Sequence, residues 1–322
     1  MFDIHAALCL RGGAAVRYIC GPIPACRERM AGMQRLRWNA ECFSIVSTYQ
    51  ARQFCNAHTT AQETSPMYNL DNIDPGLATA FRSKRWHNEK PGDLLSISND
   101  AKTVKGEKIG VRTAILYLSP HNISGVNMCP MASIAQCDGP CLNTAGRGAM
   151  TTVQLSRLRK TLYFNQYRDE FIEQLKREIL AHVLLSIKKN MIPAIRLNGT
   201  SDVRWELLIW EFMVEMSAKY GAKFYDYTKI PNRIIPDRDV YDITFSYSGV
   251  KDYAKYYQTA RTMGHRIAVV FRSKDIIPTT WDGLDVVPGD DSDVRFMDEH
   301  NVAVALYAKG KARHDQTGFV VD

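Results

Sequence analysis

From Gly92 to the C-terminus the chain alternates short apolar runs with amphipathic helical stretches, and this alternation constrains its fold most strongly. The runs are Leu94 to Ile97, Thr113 to Leu118, Ala194 to Leu197, Lys223 to Tyr227, Asp242 to Ser246, Arg266 to Phe271, Leu284 to Val287 and Val302 to Leu306. All are too short for stable helices, and most are rich in β-branched or aromatic residues, so they predict strands. Ser119-Pro120 stops the second of them. Leu155, Leu158, Leu162, Phe171, Leu175, Ile179, Val183 and Ile187 recur at helical spacing and predict one long helix, closed by Asn190 and Pro193. A second helix runs from Arg204 to Tyr220, capped by Ser201 or Asp202 and ended by Gly221. A third covers Val250 to Met263 and stops at Gly264. Strands separated by helices pair in parallel through right-handed crossovers. The fold class expected over residues 66–322 is therefore α/β, a parallel β/α barrel, complete or partial. A doubly wound open sheet is the alternative.

Residues 1–65 read differently. Five of the eight cysteines lie there (Cys9, Cys20, Cys26, Cys42 and Cys55) without a ligand-like spacing. Gly12-Gly13, Gly21-Pro22 and Pro24 interrupt the apolar pieces, and no helical or strand period persists. This segment is expected to be a weakly ordered N-terminal extension, with Met67 as a natural start. The alternative is a small helical lid.

Composition narrows the class of protein. The 322 residues are 45% hydrophobic and 23% charged, enough for one sizeable core. The formal net charge of +7 is compatible with a nucleic acid or phosphate partner, and equally with a protein that binds neither. No apolar run reaches the ~18–20 residues of a membrane span, and Ile4 to Leu10 is too short for a signal sequence. A cytoplasmic protein with reduced thiols is expected.

The loop from His121 to Gly148 spans 28 residues, against a usual loop of ~4–6. It carries Cys129, Cys137 and Cys141, spaced C-x7-C-x3-C. Three thiolates on one loop can hold three irons of a [4Fe–4S] cluster and leave the fourth open. Zinc is the competing metal, with His121 as a fourth ligand, although only Cys137 and Cys141 have the spacing of a zinc pair. Reduced thiols without a metal, or a disulfide, are the plainer alternatives.

Sites in parallel α/β proteins lie at the carboxyl ends of the strands. Here those ends carry Arg196, Asn198 and Asp202, then Lys229, then Asp290, Asp291 and Asp293, then Lys309 and Lys311. Arg196, Asn198, Asp202, Lys229 and Asp291 are the candidates for orienting a substrate or cofactor. Ser201 and Asp202 also suit a helix cap. The aspartates resemble either an oxygen-rich cation site or a solvated acidic turn. Gly146-Arg147-Gly148 could approach a phosphate through its backbone.

Several of these motifs resemble the bacteriophage family called gene product 88. They are Leu118-Ser-Pro-His-Asn-Ile-Ser-Gly125, Cys129-Pro130, Cys141-Leu-Asn-Thr-Ala-Gly-Arg-Gly148, Arg196-Leu-Asn-Gly-Thr-Ser-Asp202, Phe224-Tyr-Asp-Tyr-Thr-Lys229, Asp290-Asp-Ser-Asp-Val-Arg-Phe296 and Ala308-Lys-Gly-Lys-Ala312. They run in order over about 90–322. The resemblance implies a phage origin, hence the cytoplasm of an infected bacterium, and no activity by itself. A more distant likeness is to radical S-adenosylmethionine enzymes, which place three cysteines after the first strand of a partial β/α barrel. Their spacing is C-x3-C-x2-C, and Asn198-Gly199-Thr200 stands here where a Gly-Gly-Glu motif would. That likeness implies an iron–sulfur enzyme, with S-adenosylmethionine as cofactor, acting on a nucleotide, nucleic acid or modified base. The alternative is a non-enzymatic binding or host-takeover protein whose cysteine loop is held by structural zinc or a disulfide.

Overall fold

The computed structural model describes residues 8–11, 14–17, 67–98 and 101–322. The chain divides into two compact units, Met1–Glu63 and Thr64–Asp322. In the first, strands β1 (Leu8–Arg11) and β2 (Ala14–Arg17) pair antiparallel, with Leu8 opposite Arg17 and Arg11 opposite Ala14. The reading of this stretch as lacking any regular element is corrected here. Each arm has four residues, too few to display a period. The remainder of the expected weakly ordered segment lies outside the described residues.

The second unit is built on one nine-stranded sheet, ordered β3-β4-β5-β6-β7-β8-β11-β10-β9. Its strands are β3 (Leu95–Ile97), β4 (Val111–Leu116), β5 (Ile192–Arg196), β6 (Lys223–Thr228), β7 (Tyr241–Ser246), β8 (Arg266–Phe271), β9 (Thr280–Trp281), β10 (Leu284–Pro288) and β11 (Ala303–Tyr307). The seven strands from β4 to β10 in this order pair in parallel. The edge strands β3 and β9 run antiparallel to their single neighbours. The barrel does not close, because β3 and β9 end the order without pairing to each other. From β4 to β8 each strand lies beside its predecessor. Strand β11 then enters between β8 and β10 and breaks that progression.

Expected strand limits shift by one or two residues. The strand expected at Thr113–Leu118 is β4, whose six residues are all buried, Arg112 and Thr113 among them. Arg112 donates to His182 Nδ1 at 3.1 Å, which supplies the buried guanidinium with a partner.

The helices are α1 (Pro75–Arg82), α2 (Ala101–Glu107), α3 (Thr151–Gln166), α4 (Arg168–Lys188), α5 (Glu206–Tyr220) and α6 (Ala254–Thr262). The single long helix is corrected to α3 and α4, broken at Tyr167, whose backbone leaves the helical region (φ −134°, ψ 56°). Tyr167 donates its hydroxyl to Met67 O at 2.7 Å and packs edge-on against Tyr68, contacts no continuous periodicity reports. The stripe is otherwise buried: Leu155, Leu158, Leu162, Phe171, Leu175, Ile179 and Val183 are at most 1% exposed, whereas Ile187 is 45% exposed. Each such side chain contributes roughly 1.5–3 kcal/mol by leaving water.

Helix α5 begins later than expected, at Glu206, and no side chain caps it. Neither Ser201 nor Asp202 takes that role. Asn198 organises the approach instead, its Oδ1 accepting from Val203 N at 2.8 Å and Trp205 Nε1 at 3.2 Å. Gly221 and Gly264 both end their helices with φ of 67°. Among the described residues no helix is long and apolar enough to cross a membrane.

Candidate functional site

The loop after β4 folds as a series of turns that present its three cysteines to the carboxyl ends of the strands. Cys129 N donates to Asn127 Oδ1 at 2.9 Å, and Cys137 N donates to Ala132 O at 3.0 Å. Cys141 caps a short 3-10 turn, Leu142–Thr144, its sulfur accepting from Asn143 N at 3.5 Å. Asp202 N donates to Met128 O, and the Cys129 thiol donates to Thr200 O at 3.8 Å, so the loop is tied to the end of β5. Gly199 permits this approach. A Cβ there would stand 2.5 Å from the Tyr117 ring and 2.8 Å from Ile115.

The loop and the strand ends enclose a cavity of about 340 Å³. All three cysteines line it, as free thiols. Of the five orienting residues expected from sequence, Arg196, Asn198, Asp202 and Lys229 line it too. Asp291 does not: it is exposed, and its neighbours Asp290 and Asp293 reach the wall instead. His121 also lies outside the wall, its ring engaged with Ser133 Oγ and the Asn122 amide.

Of the three aspartates only Asp291 is solvent-exposed, as in the solvated-turn reading. Asp293 is 3% exposed and accepts from Arg196 Nη1 at 2.6 Å, while Asp290 pairs with Lys309. The acidic turn thus serves as counter-charge to two cavity-wall cations. Arg295 holds the turn, its Nη1 at 2.8 Å from Asp298.

Burial governs the ionisation of the site. It pushes the Cys129 thiol up to about 12 and the Cys137 thiol up to about 11, Lys229 opposing the second shift. Cys141 is raised as well by burial, against the Asn143 N–H and the Arg157 charge. The three are therefore neutral thiols at neutral pH. Burial lowers Lys229, against the charges of Cys137 and Asp202. Its Nζ donates to Ser246 O, Ser246 Oγ and Tyr247 O at 2.9–3.1 Å and lies over the Phe319 and Tyr253 rings. Burial raises Asp202, against Arg233 and the Lys229 N–H.

Asn198 and Asp202 turn their hydrogen bonds inward. The Asn198 amide donates to Val203 O, and Asp202 accepts from Thr228 Oγ1 and Lys229 N. Arg196 Nε and the Tyr227 hydroxyl have no hydrogen-bond partner, although Nε lies 3.9 Å from Asp226 Oδ1, and the guanidinium stacks 4.9 Å from the Tyr227 ring centre. Sequence reading missed Tyr227, Arg157 and Phe319. No motif or spacing singles out Arg157 in the sequence, yet it bonds Asn143 Oδ1 and stacks on Tyr117 beside Cys141.

A family model described as gene product 88 matches residues 93–322. The chain belongs to the phage gene product 88 family. The match covers the whole sheet and the cysteine loop, so the thiol cavity lies entirely within the gene product 88 region. Searches of curated proteins and of solved structures returned no match.

Proposed function

We propose that this cavity is the active site of an iron–sulfur enzyme of phage origin that acts on a nucleotide, nucleic acid or modified base. The observation that carries the reading is a single cavity, at the carboxyl ends of parallel strands, lined by three free thiols and by polar strand ends.

The donor set suits a cluster. Thiolates are the usual ligands of iron–sulfur centres, and three of them leave one iron open. Lys229 beside Cys137 and Arg157 beside Cys141 would offset the charge of the thiolates. The Asn143 N–H on the Cys141 sulfur is a contact of the kind that tunes cluster potentials. Among the described residues no three His, Cys, Asp or Glu side chains are grouped to hold a single metal ion. A single tetrahedral zinc with Zn–S near ~2.3 Å needs sulfurs about 4 Å apart. A cubane is broader and spreads its three thiolates further.

The bound cluster would supply one-electron chemistry, and its open iron suits a small cofactor with amino and carboxylate groups, S-adenosylmethionine being the candidate. The chain's own residues would bind and orient. The Tyr227 hydroxyl, without a hydrogen-bond partner, would donate to an acceptor such as a base carbonyl or ring nitrogen. Tyr227, Tyr307 and Phe319 offer aromatic wall to a planar ring. Asp202 and Asn198 hold the β5 and β6 ends in register and keep Lys229 facing Cys137.

Anaerobic purification tests the reading. Brown protein with broad absorption near ~400 nm and matched iron and sulfide is expected, and Cys137→Ser should abolish it. Colourless protein with one zinc per chain would instead favour the binding protein with a structural metal.

A further inference from the structure

A second cavity, of about 290 Å³, lies where the loop between α1 and β3 faces α3. Its wall carries three cations, Lys84, Arg159 and Lys160, against one carboxylate, Asp93. Thr152 and Ser156 add two hydroxyls. Thr152, Ser156, Arg159 and Lys160 follow one another at steps of four, three and one, so they share a face of the helix.

The cations are positioned before any ligand arrives. Arg159 donates through Nε and Nη2 to Glu89 O at 2.9 and 2.7 Å, which fixes its guanidinium against the loop. Lys160 Nζ donates to Leu94 O at 2.6 Å, and no ion pair engages it among the described residues. No hydrogen bond or ion pair there engages the side chains of Lys84, Thr152 or Ser156. Burial lowers Lys160 to about 8, against the charges of Glu178 and Asp93.

We propose that this pocket binds the phosphate group of a nucleotide or nucleic-acid strand. Several cationic and hydroxyl donors around one small concavity match the many acceptor oxygens and the charge of a phosphate better than a lone carboxylate. Arg157, whose charge is felt at Cys141, lies on the same helix, and its charge is felt at Lys160 too. The inference rests on this pocket alone and does not depend on the thiols.

The test is calorimetric titration of the full chain at constant ionic strength, with inorganic phosphate, adenosine 5′-monophosphate and a short single-stranded oligonucleotide, adenosine serving as the control. Saturable binding of the two nucleotide probes and none of adenosine is expected. Lys84→Glu, at a half-buried position, and Ser156→Ala, at an exposed one, should each weaken it about tenfold or more, the loss of one charge-assisted hydrogen bond. Lys274→Glu, exposed and outside the pocket, should leave it unchanged, and so should Cys137→Ser, which separates this proposal from the fate of the iron–sulfur reading. Equal weakening by Lys274→Glu, marking diffuse surface charge, would overturn the proposal. So would saturable binding of inorganic phosphate without the nucleotides, an adventitious ion only, or no saturable binding at all.

Discussion

The ionisation of the three thiols can be tested without any metal. Burial places Cys137 near 11 and Cys129 near 12, against an ordinary thiol value of 9.0. At pH 7.5 an ordinary thiol is about 3% thiolate, while a group at about 11 is roughly 0.03% and one at about 12 roughly 0.003%. The thiolate is the nucleophile, and its intrinsic reactivity rises with pKa by about half a logarithm per unit. The net expectation is alkylation slower than in the unfolded chain by about tenfold at Cys137 and about thirtyfold at Cys129, before steric shielding slows it further. The assay is iodoacetamide labelling of metal-free protein followed by mass spectrometry, native and in urea, from pH 7 to 10. Each native rate should climb about tenfold per pH unit across that range without a plateau. Lys229 lowers the Cys137 value, so Lys229→Met should slow Cys137 again and leave Cys141 nearly unchanged. A plateau near pH 8–9, or native rates equal to those in urea, would refute the burial argument. The same protonation requires that any thiolate-bound metal expel a proton from each sulfur, so loading should improve steeply with pH.

Two further predictions concern the frame around the site. His265 is 2% exposed, neither ring nitrogen has a hydrogen-bond partner, and burial, aided by Arg238, lowers it to about 4. Its folded value lies below the unfolded value of about 6.5, so its contribution is present above pH 6.5 and is lost as pH falls toward 4. The loss is about 2.5 kcal/mol at pH 4.5, and His265→Phe should remove that part of the acid sensitivity in urea unfolding at pH 7 and 4.5; an unchanged pH dependence would count against it. Gly199→Ala would press a Cβ to 2.5 Å from the Tyr117 ring, so about 1–3 kcal/mol of stability should be lost and the β5 end displaced; a wild-type unfolding midpoint would contradict the close approach.

Local chemistry was enough to reveal most of the elements. β6, β7 and β8 lie within a residue of the runs read as strands, and Gly221 and Gly264 end their helices as only a left-handed residue readily can. The split at Tyr167 escaped because the apolar stripe continues in phase on both sides, and only the contacts to Met67 and Tyr68 show that the axis breaks. The cap assigned to Ser201 or Asp202 failed for a similar reason. Their residue types suit a cap, but the chain remains non-helical until Glu206 and Asn198 takes the exposed donors first.

Sequence by itself determined that the chain is α/β, that a long cysteine-bearing loop follows β4, and that polar residues cluster at the strand ends, because all three are properties of neighbours along the chain. Whether the sheet closes was beyond it, since closure depends on which edges meet, and the insertion of β11 between β8 and β10 is a pairing of distant segments. Charge partners were likewise out of reach. Arg196 and Asp293 are 97 residues apart in sequence and 2.6 Å apart in space, and that pairing turns an apparent cation site into a counter-charge. Tertiary structure also decided that Cys129, Cys137, Cys141 and Lys229 share one cavity while Asp291 faces away. One-residue steps at the end of a loop can point a side chain inward or outward, and only the packed neighbours select between them.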